Sequence, residues 1–125
     1  MKFTDSHEWM RIEDDGIACV GITTYAQKEL GDIVYVELPI VGKQVRAKQE
    51  VVVLESTKAA ADIYSPLSGL IEEVNAKLTI APQLINESPE GEGWIYKMRC
   101  SHPEEIDSLM DEERYHKMLH GEELF

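Results

Sequence analysis

The stretch from Glu50 to Tyr64 constrains the fold more than any other part of the chain. Glu50-Val51-Val52-Val53-Leu54-Glu55 is an apolar, β-branched run, interrupted by Ser56-Thr57-Lys58 and followed by an extended segment from Ala59 to Tyr64. β-branched side chains are stiff at χ1 and suit a pleated surface. The segment therefore reads as a well-buried strand, a tight hairpin and a return strand. Lys58 stands at the tip, followed by Ala59, Ala60 and Ala61. A lone lysine after a strand is ordinarily just solvated. Here rigid strands and small neighbours leave its amine sterically open, which suits an enzyme that has to reach and modify it.

The rest of the chain repeats short strands and turns. Glu8 to Glu13 alternates, Asp14-Asp15-Gly16 reads as a turn, and Gly16 to Ile22 reads as the next strand. Thr24 and Gln27 fit a capping box for a helix over 25–30, which Gly31 ends in a left-handed conformation. Ile33 to Leu38, Leu70 to Val74 and Trp94 to Cys100 read as further strands, and Pro82 to Asn86 as a helical turn. Near the end, Ser101-His102-Pro103-Glu104 predicts a second capping box, and Asp111 a cap for a helix carrying Tyr115, Met118 and Leu119. At 125 residues the chain is one domain's worth, 1–125, with 101–120 as a helical appendage to a β-sandwich.

Charge and motifs exclude several functions. The net charge of −12, from 24 acidic and 12 basic residues, repels phosphate backbones and anionic lipids, so neither nucleic acid nor membrane is an expected partner. Cys19 and Cys100 form no CxxC and read as reduced thiols. With no signal-peptide pattern at the start, the expected location is the cytoplasm. Phosphate-binding glycine loops, GxSxG and HExxH are absent from the sequence. His116 and His120 would share one helix face, but without a third ligand nearby they read as a solvated helix end rather than a metal site.

Glu55-Ser56-Thr57-Lys58-Ala59, followed by Asp62 to Gly69, resembles the lipoyl-attachment segment of the glycine cleavage H protein family. Ser6-His7-Glu8-Trp9, Gly21 to Gln27, Leu30 to Pro39, Glu72 to Asn75, Leu84-Ile85-Asn86 and Gly91 to Trp94 follow in family order. The resemblance implies a hammerhead-like β-sandwich of the biotinyl/lipoyl type, mainly β, with a short internal helix and C-terminal helices.

It further implies that Lys58 carries lipoic acid in amide linkage, and that the protein is a non-catalytic carrier. Its partners would be glycine decarboxylase, aminomethyltransferase and dihydrolipoyl dehydrogenase. A lipoate ligase or a lipoyl/octanoyl transferase would load it. Ser6, Glu8 and Asp62 match positions that hold the charged amine of the aminomethyl-loaded arm; without the resemblance, Glu8 and Asp62 would read as solvated strand carboxylates. Three places depart from the family pattern: Ala47-Lys48-Gln49 where a glycine is usual, Thr79-Ile80-Ala81-Pro82 at a later helix start, and Glu29 beside the expected cleft.

Other readings are a lipoyl donor or relay in a cell with an incomplete glycine cleavage system, a biotin carrier, an acyltransferase lipoyl domain, and a binding module without cofactor. Methionines typically flank biotinyl lysines, whereas Thr57 and Ala59 flank Lys58; the chain also has no linker to a catalytic domain.

Overall fold

The computed structural model describes residues 1–121. Its strands are β1 (Lys2–Phe3), β2 (Glu8–Ile12), β3 (Ile17–Ile22), β4 (Ile33–Glu37), β5 (Gln44–Val45), β6 (Glu50–Ser56), β7 (Ala60–Tyr64), β8 (Gly69–Val74) and β9 (Tyr96–Cys100). Helices are α1 (Thr24–Leu30), α2 (Lys77–Ile80), α3 (Leu84–Glu87) and α4 (Glu112–Leu119), with 3-10 turns at Asp14–Gly16 and Pro103–Ser108. Six strands form one antiparallel sheet in the order β1-β2-β3-β9-β8-β5, and three form another in the order β4-β6-β7. The architecture is a mainly β sandwich of two sheets, as expected, and not a closed barrel.

Period-2 alternation fills the space between the sheets. Val36, Val52, Leu54 and Ile63 from the smaller sheet share a core with Met10, Val20, Ile71 and Met98 from the larger one. The opposite face of β1–β3 buries a second cluster of Phe3, Trp9, Cys19 and Tyr115 under α4. Trp9 lies flat over Gly21, where a Cβ would come within 2.7 Å of the indole. Its Nε1 donates to the Pro89 carbonyl at 2.9 Å. In the same burial, the Cys19 thiol is pushed up to about 11, chiefly by desolvation.

Several local expectations are corrected. Thr23, not Thr24, caps α1, its hydroxyl accepting from the Ala26 amide at 3.2 Å. Thr24 instead donates its amide and hydroxyl to Glu90 at 3.0 and 3.1 Å. Gln27 closes no capping box, because its side chain accepts from Asn86. Gly31 does take positive φ, but with ψ −157 it lies outside the left-handed helical region. No side-chain cap forms at Ser101–Glu104, where the Ser101 hydroxyl meets the His102 ring and the chain makes a 3-10 turn. The Asp111 cap of α4 forms as expected, accepting from the Arg114 amide at 2.8 Å. The valine run is only alternately buried: Val52 and Leu54 face the core while Val51 and Val53 are half-buried.

Candidate functional site

The β6–β7 hairpin is built around Ser56. Its hydroxyl oxygen accepts from the Lys58 and Ala59 amides, both at 3.1 Å, and lies 3.1 Å from the Ala59 carbonyl, to which it donates. The Ser56 amide also donates to that carbonyl, at 2.8 Å. A small hydroxyl at this position substitutes for backbone partners that a three-residue loop cannot supply itself. From outside, the Thr57 amide donates to the Asp32 carbonyl at 3.0 Å, tying the tip to the loop after α1.

That loop is itself splinted by Asn86 of α3. Asn86 accepts from the Ile33 amide at 2.8 Å, and donates to the Gly31 carbonyl at 2.8 Å and to Gln27 Oε1 at 2.9 Å. Lys58 is exposed and lies with its methylenes across Gly31: a Cβ there would stand 3.3 Å from Lys58 Cε. Among the described residues, its ammonium makes no hydrogen bond or ion pair. The lysine therefore rises from a doubly braced hairpin with its amine uncommitted. Ser56, Gly31 and Asn86 were missed as supports by the sequence reading. Only the small residues beside the lysine hinted at them, since their partners are set by long-range packing.

Glu8 occupies a different environment. It is 1% exposed, on the core-facing side of β2. The Thr4 and Ser6 hydroxyls donate to its Oε1 at 2.5 and 2.6 Å, and the Tyr64 amide donates to Oε2 at 3.2 Å. Glu8 thus links the larger sheet to the end of β7 in the smaller one. Burial raises its pKa above the ordinary carboxylate value; the Ser6, Thr4 and Tyr64 hydrogen bonds oppose that rise, and nearby Asp5 adds to it. Ser6 and Glu8 line a cavity of about 750 Å³ with Lys48, Tyr64 and Pro66. Lys48, in the Ala47-Lys48-Gln49 loop, takes a positive φ of 71.

Asp62 is exposed on the outward side of β7, paired with Val53. It shares that side with Ala60 and Tyr64, between the hairpin tip and the end of the strand where Glu8 is bound. The structure brings Ser6 and Glu8 into direct contact; Asp62 touches neither by a hydrogen bond. Among the described residues no His/Cys/Asp/Glu group could hold a metal ion, and His116 lies near Glu112 on α4 at 3.9 Å. Cys19 and Cys100 are both free.

A family model described as "Glycine cleavage H-protein" matches residues 1–122. The glycine cleavage system H protein of Thermotoga maritima is 55% identical over 114 residues, covering 91% of this chain and 91% of that protein. The protein of the same name from Rhodospirillum rubrum is 50% identical over 115 residues, covering 92% and 91%. The crystal structure of a glycine cleavage system H protein from Mycobacterium marinum superposes with a TM-score of 0.86 at 36% identity, covering 96% of this chain and 95% of that one. With the family model spanning residues 1–122 and relatives matched over about nine-tenths of their own length, this chain belongs to the glycine cleavage H-protein family.

Proposed function

We propose that this protein is the lipoyl carrier of a glycine cleavage system, with lipoic acid in amide linkage on Lys58. One observation supports this most: an amine that pairs with none of the described residues, raised on a braced hairpin among alanines, at the family's attachment position. Once attached, the cyclic disulfide of the group accepts electrons or a carbon fragment by sulfur exchange. Everything else asked of the chain is mechanical. It supplies a rigid body, an open amine and a surface that partners recognise, and it catalyses no step. The tether keeps the carried group at high local concentration in each docked active site. Glycine decarboxylase, aminomethyltransferase and dihydrolipoyl dehydrogenase are the enzymes it serves, and a lipoate ligase or lipoyl/octanoyl transferase loads it.

Ser6, Glu8 and Asp62 are proposed as holders of the loaded arm. The outward row Ala60, Asp62, Tyr64 leads along β7 from the hairpin to the cavity lined by Ser6 and Glu8. Glu8 Oε1 already accepts two hydroxyls, whereas Oε2 accepts one amide and retains capacity for one more donor. A protonated amine suits that position. We further propose that residues 1–125 work as one carrier domain in the bacterial cytoplasm. The bacterial relatives and the two free thiols support that reading. No described helix is long and apolar enough to cross a membrane.

Attachment is tested with lipoate, ATP and a lipoate ligase. Intact mass should rise by one lipoyl group, and Lys58→Arg should abolish the gain. Label mapping to Lys43, Lys48 or Lys77 would falsify the assignment.

A further inference from the structure

Asn86 reaches Lys58 by two routes through the loop after α1. The first runs along the backbone. Asn86 Oδ1 accepts from the Ile33 amide at 2.8 Å. That amide and the Asp32 carbonyl belong to one peptide unit, which is planar and trans, so the two groups point in opposite directions. Holding the Ile33 N–H therefore aims the Asp32 carbonyl away from Asn86. It meets the Thr57 amide at 3.0 Å, one residue before Lys58.

The second route runs under the lysine side chain. Asn86 Nδ2 donates to the Gly31 carbonyl at 2.8 Å. Gly31 has φ 80 and ψ −157, a region open in practice to glycine alone. Glycine also has the most freedom to leave such a conformation, so its carbonyl needs a fixed partner. The missing side chain makes room for Lys58: a Cβ at Gly31 would stand 3.3 Å from Lys58 Cε and 3.7 Å from Nζ. Asn86 thus fixes the seat on which the lysine methylenes rest.

Asn86 is itself held. Its amide also donates to Gln27 Oε1 at 2.9 Å, so exchanging its oxygen and nitrogen would set oxygen against oxygen at both Gln27 and Gly31. It stands on α3 beside Ile85, which is fully buried in the main core. The Ser88 amide closes that turn on the Leu84 carbonyl at 2.9 Å. The brace of the lysine hairpin therefore comes from a core-anchored element outside its own strands.

We propose that Asn86 is a positioning residue for lipoylation, presenting the backbone and the side chain of Lys58 together to the loading enzyme. This rests on the reading of Lys58 as the attachment site. In the loading step the Lys58 ammonium gives up a proton and Nζ attacks the acyl carbon of lipoate activated as its adenylate. The C–N bond forms, AMP leaves with the electron pair of the broken C–O bond, and the nitrogen loses a second proton as the amide forms. The chain's part in that step is placement of the amine. A tip that samples several arrangements offers a competent one only part of the time, and apparent affinity falls by that fraction. The effect of Asn86 therefore belongs in KM.

The test follows loading of the unmodified full chain by a lipoate ligase with lipoate and ATP, with initial rates from intact mass across carrier concentrations. Asn86→Ala removes both routes. Gln27→Ala keeps both but frees the asparagine amide to turn. Glu90→Ala is the control, cutting the two bonds from Thr24 and so loosening a different loop. All are assayed well below their melting temperatures. KM for the carrier should rise about tenfold in Asn86→Ala and about threefold in Gln27→Ala, with kcat within about twofold of wild type. Hydrogen exchange in Asn86→Ala should quicken at the Thr57 amide while the ladder between β6 and β7 stays protected. A wild-type KM in either folded variant overturns the proposal, and Gln27→Ala alone decides it if Asn86→Ala does not fold. An equal KM rise in Glu90→Ala also overturns it, since the effect would then be general loosening. Loading of the wild type at a lysine other than Lys58 would instead overturn the attachment reading, and the role of Asn86 with it.

Discussion

Glu8 has a structural place in the fold and, beside it, a proposed part in holding the loaded arm. Its carboxylate is buried, yet two hydroxyls and an amide aim at it. Burial raises its folded-state pKa above the unfolded value. The folded protein therefore holds a proton on Glu8 over a pH range where the unfolded chain has released it. Glu8's contribution to stability is greatest below the ordinary carboxylate pKa and declines as pH rises through the raised value. Glu8→Gln removes the ionisation with little change of shape. The melting-temperature advantage of wild type over Glu8→Gln should accordingly shrink from about pH 4 to pH 8. An advantage that grows over that range would mean that the hydrogen bonds outweigh burial. The same variant should accept lipoate and be reoxidised normally, but lose a loaded aminomethyl group faster. A charge-assisted bond of about 1.5–3 kcal/mol corresponds to roughly ten- to hundredfold. Equal release of formaldehyde and ammonia from loaded wild type and variant would leave Glu8 with its structural role alone.

Among the elements, α4 is held chiefly at its middle. Tyr115 stacks on Phe3 with ring centroids 4.7 Å apart. Its hydroxyl lies 2.7 Å from Thr23 Oγ1 and 2.8 Å from His7 Nδ1. The Thr23 oxygen also caps α1, so one chain of hydrogen bonds joins the C-terminal helix to α1 and to the loop before β2. Tyr115→Phe keeps the stacking and removes both hydroxyl contacts. Thr23 is buried and would be left without that partner. Destabilisation of about 1–3 kcal/mol is expected, with faster amide exchange in α4 than in β6 or β7. Uniform exchange changes would show that α4 does not open separately.

The α4 helix itself was legible, because Asp111 and the spacing of Tyr115 and Met118 are local signals; its anchor on Thr23 was not, because 92 residues separate the partners. The same division runs through the molecule. Strands were readable where glycine and proline punctuate alternating runs. The cap of α1 was misplaced by one because Thr23 and Thr24 offer the same chemistry, and only the competing Glu90 decides between them. The α2 helix was missed because Lys77-Leu78-Thr79-Ile80 is short and half β-branched, and packing of buried Leu78 overrides its propensity. The lysine hairpin was visible in the local order of residues 50–64, whereas the bulge at Val34 depends on a register with β6 that no local pattern encodes.

At the scale of the whole molecule, stability and the carried group are separated. The main core lies between the sheets and the smaller one under α4, and Lys58 belongs to neither. The hairpin is fastened by Ser56, Asp32 and the ladder between β6 and β7, all present before any group is attached. Attachment can stabilise the fold only through contacts that the native state makes and the unfolded chain does not. With the arm on Lys58, as proposed, the unloaded, oxidised form would start from an exposed lysine whose nearest support is the surface of Gly31. Lipoylation should therefore move the melting temperature by less than about 2 °C, below the several degrees that 1 kcal/mol shifts a chain of this size. Differential scanning calorimetry on the unmodified and lipoylated forms, with Lys58→Arg as a third sample, decides it. A rise of several degrees on lipoylation would show the unloaded arm packed on the body, and would move the point at which the arm folds back to before loading.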